Sequence, residues 1–373
     1  MPLLLVLCSC SLTSTAAHAQ CEGGQWTTLN PLAVARQESA AAQLGDSVYI
    51  AGGLNAAFAS LDSVEVLNLT VGTNATWAAA PTLPQGRDHS ALVATTGPSG
   101  SLYLLGGYFP HNTAHATVFM LGQGQASWTN GPPMPEARGA LCAVEHAGRI
   151  YAFGGIGPGG VSTSTFILDP ATNQWTNGAT MLEAREHLNA VSAGDFIYLI
   201  GGRIVNTSTG ANHRYDPVAN TWSVMAPMPT VRSALALSAV GTRIVAAGGE
   251  FPRLFADVQI YDTLTNTWSC RADMPVPRHG VSAVTVGPYM LVPGGGLQQG
   301  LQPATHVDRF ALSACLADFD LNGTLTPDDV ADYIGMFFNQ PSGPGPSPVD
   351  FNADGLTDPD DLADYITAYF AGC

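Results

Sequence analysis

Along residues 25–311 the apolar positions fall in short runs, and each run ends in a glycine pair. The six runs read Tyr49-Ile-Ala-Gly-Gly53, Tyr103-Leu-Leu-Gly-Gly107, Tyr151-Ala-Phe-Gly-Gly155, Tyr198-Leu-Ile-Gly-Gly202, Val245-Ala-Ala-Gly-Gly249 and Leu291-Val-Pro-Gly-Gly295. Short apolar runs bounded by glycines predict strands rather than helices. Six tryptophans, Trp26, Trp77, Trp128, Trp175, Trp222 and Trp268, keep step with them at intervals of 51, 51, 47, 47 and 46 residues. Ten residues after each stands an arginine: Arg36, Arg87, Arg138, Arg185, Arg232 and Arg278. One unit is written six times, and a repeat near 50 residues rich in short strands predicts one propeller blade per copy. Toward the C-terminus the pattern changes. Val330, Tyr333, Ile334, Phe337 and Phe338, then Leu362, Tyr365, Ile366, Tyr369 and Phe370, share helical spacing and predict two amphipathic helices.

The repeated unit resembles the kelch repeat over roughly residues 25–311. The matching elements are the Arg before the inner strand, the Gly-Gly after the second and the outer-strand Trp. A third-strand pair completes the set: Leu168-Asp169, Tyr215-Asp216 and Tyr261-Asp262, with weaker versions at Leu67-Asn68, Leu121-Gly122 and Phe310-Ala311. The resemblance implies an all-β, six-bladed kelch β-propeller, placed here at residues 20–312. Trp26 precedes every Gly-Gly strand and no Trp follows the last. The strand around Trp26 is therefore expected to complete blade six beside Thr305–Phe310, removing the exposed edges. Glycine should let strands stop and turn near the axis, and tryptophan should fill the wedge between blades. The arginines are expected to bond carbonyls between blades.

Charge sets the C-terminal segment apart. The chain carries a net charge of −16, only 11% charged residues and no lysine. Residues 316–373 hold eleven aspartates and no arginine, a block that repels nucleic-acid phosphates and attracts hard cations. Two segments repeat there, Asp318-Phe-Asp320-Leu-Asn322-Gly323-Thr-Leu-Thr326-Pro-Asp328-Asp329 and Asp350-Phe-Asn352-Ala-Asp354-Gly355-Leu-Thr-Asp358-Pro-Asp360-Asp361. Oxygen-bearing side chains at loop positions 1, 3, 5 and 12, with Gly at 6, have the spacing by which a backbone wraps Ca²⁺. Two ions are expected, on Asp318, Asp320, Asn322, Thr324, Thr326 and Asp329, and on Asp350, Asn352, Asp354, Leu356, Asp358 and Asp361. Thr324 and Leu356 would contribute carbonyls. Thr326 and Asp358 also read as N-caps before a proline at the first helical position. With no helix before either loop and Asp at position 12, residues 313–373 resemble a dockerin-type, EF-hand-like duplicated calcium module. Such a module implies docking to a cohesin-like or cell-surface partner, with a purely stabilising cap as the alternative.

The N-terminus, Met-Pro-Leu-Leu-Leu-Val-Leu leading to Ala17-His18-Ala19, predicts a secretory signal peptide over residues 1–19 despite lacking a positive n-region. A secreted or cell-surface location after bacterial export follows, with no transmembrane segment. Cys8 and Cys10 would leave with the leader, and neither follows a small-residue lipobox. Five cysteines then remain, so at least one thiol is free. Cys142 is expected to be buried and unpaired and Cys315 to bridge Cys373, which leaves Cys21 with Cys270.

Function on a propeller is expected in the loops at the mouth of the axis. The candidates follow the repeated Arg (Glu38, Asp88, His89, Glu186, His187, His279) or the Gly-Gly (Tyr108, His111, Arg203, Glu250, Arg253). Their uneven polarity points to a protein or glycan ligand. Some exported kelch propellers are sialic-acid mutarotases. Gly249-Glu250-Phe-Pro-Arg253 resembles a shortened version of their loop, with Glu250 as acid/base and Arg253 on a carboxylate. No galactose-oxidase-like copper set, nucleophile elbow, phosphate loop or zinc spacing is visible. The reading is a binding protein, with a sugar mutarotase using Glu250 and Arg253 as the alternative.

Overall fold

The computed structural model describes residues 21, 23–71, 75–96, 100–312, 327–339 and 359–371. The expected leader (1–19), the Cys315–Cys373 bridge and Asp318, Asp320, Asn322, Thr324, Thr326, Asp350, Asn352, Asp354, Leu356 and Asp358 lie outside them, as does the side chain of Asp329.

Six four-stranded antiparallel sheets make the propeller. Blade one runs Ala40–Leu44, Ser47–Ala51, Val64–Asn68, Ala78–Ala80 from the axis outward. The innermost strands of the next four blades are Ala91–Ala94, Cys142–His146, Asn189–Ala193 and Ala236–Val240. Blade six takes Val284–Val286, Tyr289–Pro293 and Val307–Ala311 from one end of the ring and Gln25–Thr28 from the other. Trp26 stands opposite Phe310, their rings 4.9 Å apart. A Cys21–Cys270 disulfide, Cα atoms 5.3 Å apart, ties the same N-terminal segment to blade five. The ring closes as the position of Trp26 requires. Cys142 is a buried free thiol, and burial pushes its pKa up to about 12.

The core lies in the clefts between blades. Six hydrophobic clusters fill six clefts, each drawing on two neighbouring sheets. Alternation along each strand sends one side chain to the cleft before and the next to the cleft after. The tryptophans seal the outer end. The Nε1 groups of Trp128, Trp175, Trp222 and Trp268 donate to Pro81, Pro132, Ala179 and Ala226 of the preceding blade at 2.7–3.1 Å, and Trp26 reaches Ala272.

Two sequence expectations change in detail. The guanidinium groups bond within their own blade: Arg36 to the Gly52 and Ser63 carbonyls and to Glu65, Arg278 to Asp308. Burial lowers Arg87 and Arg232 to about 10, which leaves them charged at neutral pH. It is the arginine's backbone carbonyl that crosses between blades, accepting an amide from the second glycine of the pair before it. Gly53 to Arg87 at 2.7 Å begins the series, and Gly295 to Arg36 at 2.8 Å closes it. The first glycine is required by that approach as well as by its left-handed backbone. Gly52, at φ +65°, lies so near the Arg87 oxygen that a β-carbon has no room.

The helices Pro327–Asn339 and Pro359–Ala371 begin at the predicted prolines. They meet through Tyr333 and Tyr365, both fully buried, with rings stacked 3.8 Å apart and 4° from parallel. Phe338, expected on the packed face, is 72% exposed, because the contact is centred on the two tyrosines. Asp361 is buried. Among the described residues no helix is long and apolar enough to cross a membrane.

Candidate functional site at the axial mouth

Two residues after each repeated arginine the chain takes the left-handed conformation. Those residues are Glu38, His89, Ala140, His187, Ala234 and Gly280, with φ between 48° and 57°. Their amides form a closed collar around the axis. His89 donates to the Glu38 carbonyl, Ala140 to His89, His187 to Ala140, Ala234 to His187, Gly280 to Ala234 and Glu38 to Gly280, all at 2.8–3.0 Å. Non-glycine residues at such angles each cost about 1–3 kcal/mol, which persists only where the surroundings over-determine the backbone. Here the collar does so, and it brings side chains from residues far apart in sequence onto one axis.

Glu38, His89 and His187 therefore share the floor of a cavity of about 450 Å³. From the carboxylate of Glu38, His89 Nε2 is 3.6 Å away and His187 Nε2 3.9 Å, and His279 Nδ1 is 3.6 Å from its other oxygen. Gly280 makes this possible, since a β-carbon there would occupy the place of Glu38 Oε1. Each of two histidines is held by the acid just before it. His89 Nδ1 lies 2.6 Å from Asp88 Oδ1, and His187 Nδ1 bonds Glu186. Asp88 is steadied in turn by Ser60 at 2.5 Å and by His111 at 3.0 Å. Arg203 bridges Glu186 at 2.7 Å and Glu250 at 2.8 Å.

The electrostatics follow from this crowding. Burial raises the Glu38 carboxyl, but His89, His279 and His187 outweigh it and hold its pKa well below the usual range. Burial lowers His89, and the Glu38 and Asp88 carboxylates more than reverse that, so its pKa is raised. His279 is raised likewise, by Glu38 and Glu250 against its burial. His187 differs: burial and the Arg203 charge leave its pKa well below normal, so it is a neutral imidazole. Burial beside Asp88 and Glu38 pushes the Tyr108 phenol up to about 12, so it remains a hydroxyl.

Of the residues singled out in the sequence, Glu38, His89, Tyr108, His111, Glu186, His187, Arg203, Glu250 and His279 line this cavity. Asp88 is fully buried behind His89. Arg253 stands apart. It is 64% exposed, pairs with Asp257 at 3.7 Å and covers the Phe255 ring. Glu250 lines the cavity and Arg253 does not; the guanidinium beside Glu250 is that of Arg203. A second cavity, about 350 Å³, follows the innermost strands and is lined mainly by small and apolar residues such as Ala42, Ala91, Ala143 and Ala239.

Comparison with known proteins agrees with this architecture. A KLHDC2/KLHL20/DRC7 Kelch-repeats domain model matches residues 38–249, and a Kelch motif model matches residues 232–275. The chain belongs to the kelch-repeat family. Kelch-like protein terF of Aspergillus terreus is 30% identical over 150 residues, 36% of this chain and 31% of that protein. Kelch repeat protein M-T8 of Myxoma virus is 31% identical over 115 residues, 30% of this chain and 20% of that one. The matches span about a third or less of these relatives. A solved structure of YjhT superposes with a TM-score of 0.66 at 18% identity, covering 75% of this chain and 95% of that one, and so shares the fold.

The sequence reading passed over Gln37, Phe58, Asn112, Asn206 and Phe251, which complete the walls of the kelch mouth. Gln37 was accessible to it, since it occupies the position taken by Asp88 and Glu186 in their blades. Phe58, Asn112 and Asn206 sit on loops whose direction no repeat position dictates.

Proposed function

We propose that this kelch protein is exported and binds a polar ligand, a glycan or a segment of protein chain, at the axial mouth. One observation carries the reading: Glu38, Glu186, Glu250, Arg203 and the histidines 89, 187 and 279, all nearly buried, converge on one cavity floored by a rigid backbone collar. A convergent set of oriented donors and acceptors in a concave site is what recognition of hydroxyl, carboxylate or amide groups needs. Phe58 and Val205, 57% and 68% exposed at the edge, add apolar surface on which a sugar ring or side chain can rest. The binding reading is preferred to mutarotation because Arg253 stands outside the cavity that holds Glu250. Screening the protein and its Arg203→Met variant against glycan and peptide arrays tests it. Signals that vanish in the variant support the mouth as the binding surface, and signals common to both place binding elsewhere.

The acidic repeats are proposed to bind two Ca²⁺ ions and to dock the protein to a surface partner. The duplicated twelve-residue pattern and the paired helices support this. Clustered aspartates repel one another without a counter-ion, so metal binding and folding should be coupled. Helicity of the segment 313–373, read by circular dichroism, is expected to rise on adding CaCl₂. Equal helicity in EGTA contradicts the coupling.

A further inference from the structure

We propose that Glu38, His89 and His187 bind a divalent first-row transition ion of the zinc class at the axial mouth. The inference rests on the reading of the mouth as the working surface and gives it a chemical centre. Three lines of geometry support it. First, one carboxylate and two imidazoles present ligand atoms all within 4.8 Å of one another. Metal bonds of about 2.0–2.2 Å place ligand atoms about 3.3 Å apart across a tetrahedral angle. The separations of 3.6 and 3.9 Å to Glu38 close to that value with shifts of a few tenths of an ångström.

Second, the outer partners are those of histidine ligands. Asp88 and Glu186 each accept from the Nδ1 side of the following histidine, which fixes the tautomer and leaves Nε2 as the coordinating atom. His89 and His187 stand nearly perpendicular, ring centroids 5.0 Å apart. The Arg203 amino group is 3.3 and 3.2 Å from Nδ1 and Nε2 of His187, and it must turn away from Nε2 for that nitrogen to hold a metal. The alternative grouping of Asp88, His89 and His111 is weaker, because His89 Nδ1 and His111 Nδ1 are both already bonded to the same Asp88 oxygen.

Third, the charge of the site calls for a cation. Four carboxylates, of Glu38, Asp88, Glu186 and Glu250, are set against one guanidinium, that of Arg203, and against the imidazoles of His89 and His279, whose protons a metal ion would replace. Glu250 Oε2 and His279 Nδ1, both buried, form an ion pair at 3.3 Å beside the floor. Imidazole nitrogen with one carboxylate and no thiolate selects an ion of zinc, cobalt or nickel type over calcium. Three protein ligands leave coordination positions open toward the cavity, where a ligand hydroxyl or carboxylate can complete the sphere.

The test uses the whole chain stripped of metal, with CaCl₂ present to occupy the acidic repeats. Calorimetry with ZnCl₂ is expected to show one equivalent bound at the mouth, and Co²⁺ to give the visible absorption of a histidine-ligated ion. His89→Ala and His187→Ala should each weaken Zn²⁺ by more than the roughly 10–100-fold that loss of an outer-shell partner costs. His146→Ala, whose ring bonds Ser192 in another part of the molecule, should leave it unchanged. Gly280→Ala removes no ligand but crowds Glu38, and should also weaken binding. Absence of the cobalt absorption in wild-type protein, or wild-type affinity in both histidine variants, overturns the site. The titration reads metal alone, so its failure leaves the array result for glycans and peptides to stand or fall separately.

Discussion

Starting the chain at Pro31, without the strand Gln25–Thr28 and Cys21, is expected to unfold the propeller rather than trim it. Trp26 covers Phe310, which is 1% exposed, and donates to Ala272 of blade five. Thr28 bonds Asp308 at 2.8 Å, the same carboxylate that neutralises the buried Arg278 at 2.6 Å. The disulfide lost with Cys21 spans 249 residues, a closure that chain-entropy arguments value at about 5 kcal/mol. Trp26 is only partly buried, so its loss adds less than the roughly 3–5 kcal/mol that truncating a fully buried tryptophan costs. The two losses together match the roughly 5–15 kcal/mol that holds a typical domain folded. Urea unfolding followed by tryptophan fluorescence should lose its cooperative transition. A shortened chain that melts within about 3 °C of wild type contradicts closure by the N-terminal strand.

Gly52→Ala is the second large effect. Its β-carbon has no place to go, because the Arg87 carbonyl already occupies that volume and is itself bonded by Gly53 at 2.7 Å. The neighbour is backbone and cannot swing away, so the blades must separate. Overpacking and left-handed strain together cost roughly 3–5 kcal/mol. Gly124→Ala is the control. Gly124 has a similar φ of +74° with nothing within 4 Å, so only the conformational cost of about 1 kcal/mol remains. Chemical denaturation of the two variants should differ by several kcal/mol. Equal losses would mean that backbone angle, not blade contact, selects the glycine pairs.

The ring was legible because its cause is periodic: Trp, Arg and Gly-Gly recur in phase, and each recurs because every cleft has the same geometry. For the same reason the positions just after each arginine could be read as mouth residues, and Glu38, His89, His187 and His279 lie there. Convergence was not legible. Glu38, His89 and His187 come from three different blades, and no spacing rule connects residues brought together only by closure of a ring. Arg203 was named, yet its grip on Glu186 and Glu250 depends on the hairpin Arg203–Ile204/Thr207–Ser208, whose direction the repeat does not set. The arginine side chains misled in the opposite way. Their repetition suggested bonds between blades, whereas the crossing contact belongs to their backbone, which any residue type carries.

The axial mouth is the proposed place where this kelch protein meets its ligand. Calorimetric titration of the strongest array ligand into wild type, Arg203→Met and Arg253→Met tests it most directly. Arg203 stands inside the cavity and Arg253 outside it, so the account predicts a loss of tenfold or more for Arg203→Met, about 1.4 kcal/mol, and no change for Arg253→Met. Unaltered binding by Arg203→Met, or an equal loss in both variants, would contradict it.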